Sequence, residues 1–113
     1  MTSSTTKSPI NNQPLSEQYY EASIEWADLD AAASLLESTK SAMLSQKVLA
    51  MGDMAINRAE AQVKADPTWI EHLEKIIEAR RLANHAFAKR EYIRMLAMEQ
   101  HSAQATERTA ARI

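Results

Sequence analysis

Glycine and proline are distributed in this chain so that long helices are permitted and little else is. The sole glycine is Gly52, and the prolines are Pro9, Pro14 and Pro67. Between Leu15 and Met51, and again after Pro67, no residue forces the backbone to turn. β-Hairpins draw on several glycines, and strands on valine and isoleucine, which are sparse here. An all-α fold follows. Ser16 is placed to cap a first helix, with Glu17 in the first turn where the helix dipole favours an anion. Gly52 stops that helix, so it is predicted over 16–51, with a break near Asp28–Asp30 as a variant. Asn57 can cap a short helix over 57–65. Asp66-Pro67 is the clearest boundary, because aspartate caps well and proline is favoured at the first helical position. The third helix is predicted over 67–100 or beyond, fraying after Gln100 where large apolar groups run out. Short connections predict a long antiparallel hairpin with a short connecting helix, forming one domain over 15–113. Residues 1–14 are rich in Ser, Thr, Asn, Gln and Pro and read as a disordered tail.

Both long helices carry more than one apolar stripe. In the first, Ile24, Ala27, Ala31, Leu35, Ala42 and Leu49 recur at helical spacing, and Leu29, Ala32, Leu36 and Met43 run beside them. In the third, one stripe holds Trp69, Leu73, Ile76, Ala79, Ala83, Ala86, Ile93 and Ala97, flanked by Leu82 and Phe87. A second holds Ile70, Ile77, Ala88, Tyr92 and Met95. One hairpin partner cannot cover both stripes. Either the chain bends into a compact bundle, or copies associate, and association is the reading adopted. Leu36, Met43, Ile70, Ile77 and Met95 are the expected oligomer interface of a helical oligomer.

Motifs for enzymatic chemistry are absent. The chain has no cysteine, hence no thiolate zinc site and no cysteine nucleophile. His72, His85 and His101 stand too far apart to share a helical turn, and none lies in a metalloprotease or di-metal pattern. His72 and His101 read as solvated surface residues. No glycine-rich loop exists to cradle phosphate. A non-enzymatic protein is expected, without catalytic residues, metal, cofactor or small-molecule substrate. No apolar run approaches the length of a membrane span, and the polar start does not read as a signal peptide, so a cytoplasmic protein without a membrane partner is expected.

Charge is distributed unevenly. Residues 1–66 carry five basic and nine acidic groups, and residues 67–113 carry eight basic and six acidic. The segment 80–94 holds Arg80, Arg81, Lys89, Arg90 and Arg94 against Glu91 alone. The segment 17–37 holds Glu17, Glu21, Glu25, Asp28, Asp30 and Glu37 with no base. Arg81, His85 and Lys89 lie on one helical ridge, and Arg90 and Arg94 form a second pair, with Asn84 between the ridges and Tyr92 near the second. Arginines that fork onto phosphates beside an aromatic stacking surface suit single-stranded nucleic acid. The candidate nucleic-acid-binding residues are therefore Arg80, Arg81, Lys89, Arg90, Arg94 and Tyr92. The competing reading pairs this basic run with the acidic first helix. Trp26, Trp69 and Phe87 read as core rather than stacking platforms.

The stretch DPTWIEHLEKIIEARRLANHAFAKREYIRMLAMEQ combines Trp69 near a helix start, Ile76 and Ala79 mid-helix, Ala83-Asn84, and a late Glu91-Tyr92-Ile93-Arg94-Met95. Over roughly residues 66–100 it resembles small phage-encoded helical recombination-accessory proteins. It is distantly similar to the C-terminal region of the T4-type recombination mediator family. That resemblance implies an oligomeric all-helical protein that binds single-stranded DNA and helps to load a recombinase. The first helix lies outside it. Two functions are thus expected as alternatives. One is an oligomeric phage-type accessory protein binding single-stranded DNA and recombination partners. The other is a protein-only helical interaction module, such as a phage inhibitor of a host defence complex or a small assembly subunit, acting through its acidic helix.

Overall fold

The computed structural model describes residues 12–112. Those residues form three helices: α1 (Leu15–Leu49), α2 (Ile56–Ala65) and α3 (Pro67–Ala111), of 35, 10 and 45 residues. The all-α expectation holds. Most of the predicted tail, residues 1–11, lies outside the described residues.

The helix ends show which sequence signals act. α1 begins one residue before Ser16, because the Pro14 carbonyl accepts from the N–H groups of Glu17 and Gln18 at 3.1 Å each. Ser16 therefore lies inside the helix and is not its cap. Before it, Gln18 Nε2 donates to the Gln13 carbonyl at 2.8 Å, and Gln13 Nε2 donates to Glu21 Oε2 at 3.0 Å. α1 runs through Asp28–Asp30 without a break. At its far end Gly52 takes φ 78°, a left-handed conformation that glycine adopts freely, and its N–H donates to the Leu49 carbonyl at 3.2 Å.

α2 starts after Ala55, whose carbonyl accepts from Ala59 N–H at 2.9 Å, so Asn57 sits within the first turn and does not cap it. α3 starts as its sequence requires. Asp66 Oδ1 accepts from Thr68 N–H at 2.8 Å and from Thr68 Oγ1 at 2.7 Å. Those hydrogen bonds favour the ionised carboxylate and hold the Asp66 carboxyl below its ordinary range. α3 continues past Gln100 to Ala111, where Ala103, Ala105, Ala110 and Ala111 supply helix propensity although large apolar groups have run out.

A seven-residue period governs burial along both long helices. On α1, Leu15, Ala22, Leu29, Leu36 and Met43 are each seven apart and all buried or half-buried. On α3 the same holds from Trp69 through Ile76, Ala83, Arg90 and Ala97 to Gln104. Such a repeat keeps one seam of a helix turned toward one partner.

By its internal contacts the chain divides into two compact units, each containing part of α1 and part of α3. Unit 1 comprises, among the described residues, 12–27 and 84–112; unit 2 is Asp28–Ala83. In unit 1, Leu15, Ala22 and Ile93 form a small core with Tyr19, Leu96 and Ala97 packed against it. Trp26 meets Phe87 with ring centroids 5.6 Å apart. In unit 2 the buried residues are Ala33, Ala59, Val63, Trp69, Ile76 and Ala83, with α2 contributing the pair Ala59 and Val63 from one face. Small residues dominate both cores, and Ile93 is the largest fully buried side chain among the described residues.

Candidate functional site

Every cation of the predicted nucleic-acid set has an acidic partner within its own unit. Arg80, in unit 2, makes the fullest set. Its Nε and Nη2 grip the two oxygens of Glu37 at 2.9 and 2.8 Å, and its Nη1 donates to Asp30 Oδ1 at 2.7 Å. Nη2 also donates to Ser34 Oγ at 3.3 Å. A planar guanidinium forked onto a carboxylate is the favoured geometry for such a pair. The hydrogen bond from Arg80 holds the Glu37 carboxyl below its ordinary range. The hydrogen bonds that Arg80 donates to Glu37 and Asp30 push its guanidinium upward. Arg81 turns the other way and forks onto Glu78, one turn earlier on α3, which raises its own proton affinity.

In unit 1, Lys89 Nζ meets Glu25 Oε2 at 3.4 Å. Arg90 lies over two aromatic rings, its Cζ 4.9 Å from the Tyr19 centroid and 5.2 Å from the Trp26 centroid. Its Nε donates to Ser23 Oγ at 2.8 Å and its Nη1 meets Glu91 Oε2 at 3.3 Å. Arg94 pairs with Glu91 Oε1 at 2.8 Å and donates to Met98 Sδ at 3.1 Å. Arg80, Lys89 and Arg90 are thus fastened to α1 of the same unit, in line with the competing charge reading, whereas Arg81 and Arg94 pair with Glu78 and Glu91 on α3 itself. Arg80 and Arg90 are the half-buried members, while Arg81, Lys89 and Arg94 remain exposed. Tyr92 is exposed as well.

The apolar residues divide differently from their sequence stripes. On α3 the first stripe, from Trp69 to Ala97, faces inward, and the second, with Ile70, Ile77, Tyr92 and Met95, is exposed. On α1 the order reverses. Leu36 and Met43, expected at an oligomer interface, are half-buried on the inward seam, whereas Ile24, Leu35 and Leu49 stand in solvent. Of the five expected interface residues, Ile70, Ile77 and Met95 are therefore outward and the other two are not. Among the described residues twelve large apolar side chains are exposed, Ile77 at 67% and Leu49 at 79%.

Three aromatic and histidine placements refine the sequence reading. Trp69 is buried and Trp26 half-buried, but Phe87 is 44% exposed. His72 is half-buried rather than solvated, its ring 5.8 Å from that of Trp69, with a buried Nε2 that lacks a hydrogen-bond partner. His101 is exposed. Among the described residues no group of three or more His, Asp or Glu side chains could hold a metal ion. The hollows are open and shallow; one of about 390 Å³ is lined by Met95, Met98, Glu99 and Ser102 on the outer side of α3. Among the described residues no helix is long and apolar enough to cross a membrane.

Asp30 and Glu37 belong to the acidic stretch that the competing charge reading sets against the basic run, and Trp26 is expected in the core. The residues that sequence reasoning did not single out are the acceptors Ser23 and Ser34 and the ring of Tyr19. For the acidic partners the signal was the charge pattern itself, a base-free acidic stretch in α1 and a basic stretch in α3; Ser23, Ser34 and Tyr19 carry no such mark. Comparison with protein-family models, with curated proteins and with solved structures finds no match.

Proposed function

We propose that this protein is a non-enzymatic helical assembly protein. It folds as a long antiparallel hairpin with a short connecting helix, associates with copies of itself, and acts through protein contacts. One observation carries the reading. The basic residues are engaged inside their own units, while large apolar side chains stand exposed on α1 and α3. Exposed apolar area costs roughly 25 cal/mol per Å², so faces of this kind favour association. Sedimentation velocity across a range of concentrations tests it. A particle heavier than one chain supports the proposal, and Ile77→Lys should shift that particle toward one chain without loss of helicity. Sedimentation as one chain throughout would remove it.

A second reading keeps the phage-type accessory protein that binds single-stranded DNA and recombination partners. It is favoured by the half-exposed side chains of Lys89 and Arg94, at 50% and 46%, with Tyr92 exposed on the same segment. Exposed ion pairs contribute about 0–1 kcal/mol, so phosphate can replace their carboxylates at little cost. An assembly would multiply such contacts. Filter binding of a labelled single-stranded oligonucleotide discriminates. Retention that falls steeply with salt and is lost in Lys89→Glu/Arg94→Glu supports this reading; no retention at low salt removes it.

A further inference from the structure

The methionines of this chain are not alike in their surroundings. Of six, Met1 lies outside the described residues, and Met43, Met51 and Met54 are half-buried. Met95 and Met98 stand exposed one turn apart on α3, at 54% and 57%. Both line the open hollow of about 390 Å³ with Glu99 and Ser102, so a small solute can reach either sulfur. The two differ in one respect. Arg94 stands four residues before Met98, which places both on one face of the helix. Glu91 Oε1 accepts from Arg94 Nε at 2.8 Å and steadies the guanidinium, and Nη1 donates to Met98 Sδ at 3.1 Å. Among the described residues no other methionine sulfur accepts a hydrogen bond, and Arg94 Nη2 donates none. A thioether is a weak acceptor, so this contact does little to hold the helix. It does set a cation with unengaged N–H groups beside one accessible sulfur and not beside its equally exposed neighbour.

We propose that Met98 is a site of reversible oxidation by hydroperoxides, and that Arg94 makes it react ahead of an ordinary surface methionine. A lone pair on Met98 Sδ attacks the nearer peroxide oxygen, and the S–O bond forms as the O–O bond breaks. The sulfur loses two electrons and the peroxide gains them. Negative charge collects on the departing oxygen, where the Nη2 N–H groups of Arg94 can donate to it. That oxygen takes the proton of the transferred oxygen and leaves as water, or as an alcohol from an alkyl hydroperoxide. The polar sulfoxide left behind stays within reach of Arg94 Nη1, and sulfoxide reductases return such a group to methionine. A consequence rests on the self-association put forward above. Oxidation turns a flexible apolar side chain into a polar, chiral one, so it makes the outward face of α3 less fit to associate.

Limited oxidation of the full chain with hydrogen peroxide tests the site. Sulfoxide at each methionine is read by mass spectrometry, with Met95 and Met98 resolved by fragmentation. Met95 is the reference of equal exposure, and the same dose in concentrated guanidinium chloride gives the ratio without structure. The expected result is a Met98 yield severalfold above that of Met95 in the folded chain and near equality in denaturant. Arg94→Ala should bring the folded ratio close to one while helicity is retained. Equal oxidation of the two in the folded chain, or a ratio that Arg94→Ala leaves unchanged, overturns the proposal. Light scattering of the same samples reads the consequence: the assembled mass should fall toward one chain as sulfoxide accumulates at Met98, and should hold in Met98→Leu at the same dose. A mass that stays constant at full oxidation of Met98 overturns the regulation. A single-chain mass before any peroxide is added overturns self-association, and the ratio of Met98 to Met95 then still decides the site.

Discussion

The two units hold the same pair of helices by different means. Unit 1 uses apolar packing and stacked rings: Leu15, Ala22 and Ile93 at the centre, and the Arg90 guanidinium lying over Tyr19 and Trp26. Unit 2 uses a three-partner ionic clamp, in which Arg80 holds Asp30, Ser34 and Glu37, above a core of small residues joined by Trp69 and Ile76. The Arg90 contact rests on ring faces, whereas the Arg80 contact rests on carboxylates that water and salt can reach. Arginine thus serves as a fastener in both, but with different sensitivity to solvent conditions.

The largest expected effect bears on unit 1. Ile93→Ala removes the largest fully buried side chain and should cost about 2–5 kcal/mol, with thermal unfolding monitored by circular dichroism. Amide exchange should then open first in residues 84–100; equal opening in Asp28–Ala83 would mean that the units do not differ as described. Next comes the corner of unit 2. Gly52 is left-handed with open space around its α-carbon, so Gly52→Ala meets backbone strain and not a clash, and should cost about 1–2 kcal/mol in the same melt. Arg90→Lys keeps the charge but loses the flat surface over two rings. About 0.5–1 kcal/mol is expected, with little change in salt dependence.

The smallest effect sharpens the comparison through pH. The Glu37 carboxyl is held below its ordinary range by Arg80. Its contribution is therefore full above the ordinary carboxylate pKa and is lost as pH falls through the lowered value. Acid should loosen the α1–α3 contact of unit 2, and Glu37→Gln should abolish that pH response. Asp66 has the same sign, because Thr68 lowers its pKa, so acid also weakens the cap of α3. Amide exchange of residues 30–37 and 66–70 between neutral and acidic pH checks both, with the Arg90 region as the internal reference.

Much of the fold was legible from punctuation. Gly52 and Asp66-Pro67 carry conformational requirements that no tertiary contact overrides, and the structure turns at both. Ser16 and Asn57 misled because a cap is an option rather than an obligation: the carbonyls of Pro14 and Ala55, each two residues earlier, accepted the first hydrogen bonds. Stripe assignment failed on α1 for a different reason. A helix apolar on two opposite sides has no single inward direction in its own sequence. The direction is chosen by the partner, and the half-buried Leu29, Leu36 and Met43 were selected over Ile24, Leu35 and Leu49. The choice could be seen only by matching each helix against the other, through the seven-residue spacing of Leu15 to Met43 and of Trp69 to Gln104. The basic residues of α3 were visible as candidates. The acidic stretch of α1 was visible as their partner, but the individual pairs were not, because a pairing between residues 50 apart, such as Arg80 with Asp30, depends on helix register.

The central claim is that the outward apolar faces, and not the basic segment, are the working surface. Multi-angle light scattering of the full chain, eluted at several loading concentrations and at low and high salt, addresses it most directly. The account predicts a mass above one chain that falls toward one chain in the Ile24→Lys/Met95→Lys double variant. A constant single-chain mass for the unmodified protein, across all concentrations and salts, would contradict it.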